Sequence, residues 1–137
     1  MIDAFSSDAI PIHLLTREAL ALYVRKLSSQ GVIVFHISNI NLDLSPVMSN
    51  LAEDAKLAGR IEPFRPVTEE QEKNHVPPSS WVIMGHTPSD LSIVDSAPRW
   101  KPLEPTPSTR VWTDDYSNIL SVLNNPFILL PKSWTTK

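Results

Sequence analysis

Apolar residues recur at helical spacing twice in the first half of this chain. Ala19, Leu20, Tyr23, Val24 and Leu27 form one stripe, with Arg17, Glu18, Arg25 and Lys26 off it, which predicts an amphipathic helix over residues 16–29. Thr16 is placed to cap the free amides. Glu18 suits the positive end, Arg25 and Lys26 suit the negative end, and Gly31 follows as a stop. Val47, Met48, Leu51, Ala52, Ala55 and Ala58 form the second stripe. It opens at Ser45-Pro46, a hydroxyl cap followed by proline at the first helical position, and ends before Gly59. Between the two lie residues 32–37, an unbroken β-branched and aromatic run, which predicts a strand buried on both faces. Residues 60–64 and 81–84 predict two more strands with no helix between them, and such neighbours pair antiparallel.

The polar and proline-bearing segments fill in the rest. Residues 65–80 carry Glu69, Glu70, Glu72 and Lys73 and predict a solvated flap. Pro98, Pro102, Pro105 and Pro107 forbid regular helix or a central strand over residues 96–109. This stretch is expected to be an extended surface strap anchored by Trp100. Trp112-Thr-Asp-Asp-Tyr then predicts the start of a last helix, capped by Asp114 or Asp115, with Ile119, Leu120 and Leu123 facing inward. At the other end, Ile2 leads into Asp3-Ala-Phe-Ser-Ser-Asp8 and then Thr16. An apolar segment that breaks into Asp and Ser before a helix reads as the carboxyl end of a strand with its loop, where open parallel sheets place ligand chemistry. Asp and Ser also favour such turns for local reasons alone.

Composition narrows the function classes. The 137 residues are 42% apolar, enough for one domain with a core. A formal charge of −3 leaves no basic stripe to neutralise phosphates, which argues against nucleic acid as a partner. With no cysteine there is no disulfide framework or thiolate metal site. No apolar run approaches the roughly 20 residues of a membrane helix, and the acidic start lacks the basic region of a signal peptide. A cytoplasmic location is expected. His13, His36, His75 and His86 have no metal-ligand spacing, and no Ser sits in a nucleophile elbow.

Three motifs in order carry a resemblance. Asp3-Ala-Phe-Ser-Ser-Asp8-Ala-Ile-Pro11-Ile-His-Leu-Leu-Thr16, then Gly31-Val-Ile-Val-Phe-His-Ile-Ser-Asn39, and finally Val111-Trp-Thr-Asp-Asp-Tyr-Ser-Asn118-Ile-Leu resemble the second half of the spermidine synthase-like aminopropyltransferases. Members often fused to a membrane transporter-like segment are the most similar. The resemblance implies an α/β fold, the carboxyl-terminal half of a Rossmann-like, methyltransferase-type sheet ending in an antiparallel hairpin. It spans residues 1–125 as a partial domain and leaves residues 126–137 as a tail. Aminopropyl transfer from decarboxylated S-adenosylmethionine to a polyamine is the implied reaction, with Asp3 as the catalytic base that deprotonates the acceptor amine. Asp8, Asn39 and Tyr116 are implied on the substrate side. Asp3 and Asp8 stand five apart, where the family motif has three, and Ala9 replaces its proline. These departures leave the acceptor open.

The family holds its cosubstrate on a glycine-rich turn that would lie upstream of Met1. Gly31, Gly59 and Gly85 are too scattered to form one. The chain alone is therefore expected to bind no cofactor and to be inactive by itself. Two alternatives are a non-catalytic fragment or interaction module that keeps the fold, and a methyltransferase-like subunit. A missing amino-terminal half would leave residues 32–37 near a sheet edge, which predicts a homo-oligomer.

Overall fold

The structure is a computed structural model that describes residues 2–3, 11–39, 41–63, 73 and 79–124. Helices and strands mix around one five-stranded sheet, in the order β1-β2-β4-β3-β5. Its strands are β1 (Ile2–Asp3), β2 (Val32–His36), β3 (Ala58–Glu62), β4 (Trp81–Gly85) and β5 (Lys101–Pro102). β1 and β2 pair parallel. The pairings of β4 with β2 and β3, and of β5 with β3, are antiparallel. The β3–β4 hairpin expected from the sequence is thus present, although most of the loop between its strands falls outside the described residues. Because β4 opposes both of its neighbours, β3 runs the same way as β2 and β1.

Helices α1 (Arg17–Lys26) and α2 (Ser45–Asp54) connect those three co-directional strands. Two right-handed crossovers that step the same way across a sheet leave both helices on one face. The core follows that geometry: Leu20 from α1 and Val47, Met48 and Leu51 from α2 pack in one cluster with Ile33, Phe35, Ile61, Val82 and Met84 of the sheet. Arg17 ties the two helices through a bidentate ion pair with Asp54 at 2.7 Å. Hydrogen bonding to that carboxylate, and secondarily its charge, raises the Arg17 pKa. Thr16 caps α1 as expected, its Oγ1 accepting from the Ala19 amide. At the second helix the cap moves upstream. Ser45 and Pro46 lie within the first turn, and Asp43 Oδ1 accepts from the Ser45 amide. α2 ends at Asp54, so Ala58 and Gly59 belong to β3 and do not close the helix.

Two further expectations, on β2 and on the last helix, are overturned. β2 is not buried on both faces: Ile33 and Phe35 turn into the core, while Val32, Val34 and His36 are half-exposed on the opposite face. The unbroken apolar run hid an ordinary alternation, because no long helix covers that second face among the described residues. There the 3-10 turn Pro88–Leu91 packs over β3 and β4, and the short helix α3 (Ser92–Asp95) follows it, with Asp95 pairing with Arg60 at 3.3 Å. Among the described residues the last helix is also absent. Thr113 and Tyr116 form a tight bridge, and only a 3-10 turn, Ile119–Val122, follows, with Leu120 65% exposed and Val122 buried.

The proline strap is extended, as its sequence requires. Lys101–Pro102 forms an edge strand on β3, a place where a proline without an N–H is tolerated. Its fastening differs from expectation, since Trp100 stays half-exposed. Asn50 of α2 instead reaches across, donating from Nδ2 to the Thr106 and Thr109 carbonyls and accepting from the Thr106 amide at 2.8 Å. Leu103 sits so closely over Gly59 that a Cβ there would overlap it. The buried tryptophan of this region is Trp112, which is fully enclosed in the core.

Candidate functional site at the carboxyl ends of the strands

β1, β2 and β3 all end on one side of the sheet, and a cavity of about 470 Å³ opens there. Its volume suits a small ligand. Asn39, Asp43, Ser45, Pro63, Ser80 and Asn124 contribute to its lining, over an apolar floor that includes Ile37 and Leu42. Four of the lining residues flank strand ends. Ile37 and Asn39 follow β2, Pro63 follows β3, and Ser80 precedes β4. The sequence folds this way because its turn residues satisfy the backbone locally. Asn39 Oδ1 accepts from the Asn41 and Leu42 amides at 2.8 and 2.9 Å, making an Asx turn out of β2.

Serines close the seam between the antiparallel strands. The Ser80 amide donates to Ser38 Oγ at 2.7 Å, and Ser80 Oγ donates to the Glu62 carbonyl at 2.9 Å. The fourth wall comes from the far end of the described chain. Leu42 bridges Leu123, the Asp43 amide donates to the Val122 carbonyl, and the Asn124 amide donates to the Asn41 carbonyl, both at 2.8 Å. The result is a polar-rimmed, apolar-floored concavity with one carboxylate among the described residues, Asp43, on its rim.

Of the residues expected in the site, Asn39 lines this cavity. Asp3 is the last residue of β1, beside His36 in the ladder, and so reaches the same edge of the sheet. Asp8 lies outside the described residues. Tyr116 does not join them: it is hydrogen-bonded to Thr113 through the backbone, carries Arg110 over its ring at 4.4 Å, and packs on the core. Its segment instead clasps the start of α1. The Trp112 carbonyl accepts from the Arg17 amide, Thr16 Oγ1 donates to Asp114 Oδ1 at 2.7 Å, and the Asp114 amide donates to Glu18 Oε2. Asp114 thus holds the capping residue of a distant helix by accepting its hydroxyl proton, and starts no helix of its own. Asp43, Ser38 and Ser80 were not singled out in the sequence. Ser and Asp flanking a strand are too common to mark a site by themselves.

Among the described residues no group of His, Cys, Asp or Glu is arranged to hold a metal ion, and no helix is long and apolar enough to cross a membrane. The chain matches no protein-family profile, no curated protein and no solved structure.

Proposed function

We propose that this chain supplies the acceptor-side, carboxyl-terminal half of a Rossmann-like domain of the spermidine synthase type. One observation carries the reading: three co-directional strands joined through α1 and α2 end at the same edge of the sheet, with Asp3 the last residue of β1, and a cavity lined by Asn39, just past β2, opens at that edge. Ligands of open α/β sheets bind outside such carboxyl ends. The reaction asks for a base at that edge. The acceptor amine nitrogen attacks the methylene carbon bound to the sulfonium of decarboxylated S-adenosylmethionine. The C–N bond forms, the C–S bond breaks with its electron pair passing to sulfur, and the amine proton passes to Asp3. Asp43 adds negative charge at the rim for the rest of a cationic polyamine. No glycine-rich turn is available to hold the nucleoside. The chain by itself then binds amine and not cosubstrate.

Calorimetric titration tests this. Putrescine or spermidine is expected to bind saturably, more weakly in Asp3→Asn, while decarboxylated S-adenosylmethionine gives no binding heat. A chain that binds no amine, or binds it equally well as Asp3→Asn, favours the non-catalytic interaction module. That alternative has an observation of its own. Among the described residues β1 pairs only with Phe35 and His36 of β2, so residues 32–34 keep an unpaired ladder edge. Such an edge templates association, and a second copy of this chain is the expected partner. Light scattering should show self-association that Val34→Lys reduces; a strictly monomeric wild type at high concentration rejects it.

A further inference from the structure

Helix α1 carries two stripes, and the core uses one of them. Leu20, Val24 and Leu27 pack inward. Glu18, Ala21, Leu22 and Arg25 recur at the i, i+3, i+4, i+7 spacing of a single helix face, and all four are exposed, Leu22 at 48%. This second face is apolar at its centre and charged at its ends, negative toward the amino terminus and positive toward the carboxyl terminus. Beside Glu18 and Leu22 a hollow of about 530 Å³ opens, lined also by Ile12, Ala19 and Asp114. Its two carboxylates are held in place: the Asp114 amide donates to Glu18 Oε2 at 3.0 Å, and Thr16 Oγ1 donates to Asp114 Oδ1 at 2.7 Å. Each keeps its other oxygen outside these bonds. Among the described residues neither carboxylate has an ion-pair partner, and nor has Arg25.

We propose that this face is the docking surface for a second copy of the chain, with the two α1 helices antiparallel across a two-fold axis. The midpoint of Glu18 and Arg25 falls between Ala21 and Leu22, so one axis serves all four residues. It sets Glu18 against Arg25 of the second copy at both ends of the contact, and Leu22 against Ala21 at its centre. A two-fold interface must be complementary to itself, and opposite charges equally spaced about an apolar centre meet that condition. Ala21 is small enough to let the helices approach. The arriving Arg25 enters the hollow beside Glu18, where Asp114 supplies a second carboxylate. The same axis brings Arg17 toward Lys26 of the second copy, but the charge of Arg17 is already matched by Asp54. One face of a ten-residue helix makes a small contact, so the dimer is weak and concentration-dependent. This surface is distinct from the β2 edge and does not rest on the aminopropyl-transfer reading.

Charge reversals followed by sedimentation equilibrium test this. Wild type is expected to dimerise reversibly. Glu18→Arg or Arg25→Glu alone should weaken that association about tenfold, since each sets like charges together at both ends of the contact. An equimolar mixture of the two variants should associate more tightly than either alone, because every pair in the mixed dimer is again opposite in sign. A chain carrying both reversals, with the net charge of wild type, should regain self-association. Ala21→Lys, at an exposed position where lysine keeps good helix propensity, should be monomeric with unchanged circular dichroism. A strictly monomeric wild type overturns the proposal, and so does a mixture no tighter than its components. Association that is equal in wild type, both single reversals and Ala21→Lys overturns it too, and is the result expected of a dimer joined at the β2 edge.

Discussion

The two faces of the sheet differ in what they are made to do. On the helix-covered face Ile33, Phe35, Ile61, Val82 and Met84 are buried in one cluster with α1 and α2. On the other face the register brings up Val32, Val34, His36, Trp81, Arg60 and Glu62, none of them fully buried. Ile83 is the exception, and it lies where the segment Pro88–Leu91 packs over β3 and β4. Hydrophobic stabilisation scales with the area removed from water, so the first face holds the fold. The second keeps charged and aromatic groups, among them His36, Trp81, Arg60 and Glu62, in reach of solvent.

Substitutions in matched positions on β2 test this division most directly. Phe35→Ala should cost about 3–5 kcal/mol in urea unfolding, as truncation of a fully buried aromatic does. Val34→Ala, one residue away on the other face, should cost about 1 kcal/mol. Equal losses would mean that both faces are packed alike. Next in size is Asn50→Ala, which strands the Thr106 amide and the Thr106 and Thr109 carbonyls against α2. About 2 kcal/mol is expected, together with faster proteolysis within residues 103–110.

Thr16→Ala should cost about 1 kcal/mol as a lost cap. Combined with Asp114→Ala it should cost less than the sum of the two, since both remove one hydrogen bond. The smallest effect is a pH dependence. Burial raises the Tyr23 pKa above its ordinary value, so the folded state favours the neutral phenol. Its contribution is fully present below the unfolded value of about 10 and is lost as pH rises through the higher folded value. Tyr23→Phe should flatten that alkaline loss.

Much of this was legible in the sequence. The Thr16 cap, the α1 stripe, the Val47, Met48 and Leu51 face of α2 and the β3–β4 hairpin all follow from local periodicity and turn chemistry, which neighbours in sequence determine. What misled was information held by distant residues. Whether Val32 and Val34 are buried depends on which layers cover β2, and an apolar run looks the same either way. Asp114 reads as a cap for the residues after it, yet its carboxylate serves Thr16. Of the site, Asn39 was recognisable as a polar tip on an apolar strand, whereas the contact between Ser80 and Ser38 depends on a register that no single segment specifies.

The Leu42–Leu123 bridge also bears on the order in which the molecule is built. Residues 16–85 contain both long helices and the three strands β2, β3 and β4, and their contacts can form before the rest of the chain is made. The wall that Val122, Leu123 and Asn124 place beside residues 41–43 cannot. Contacts between residues so far apart form against a large loop-closure entropy. The cavity is thus expected to close late in folding, and with so few hydrogen bonds its wall is expected to open more readily than the sheet.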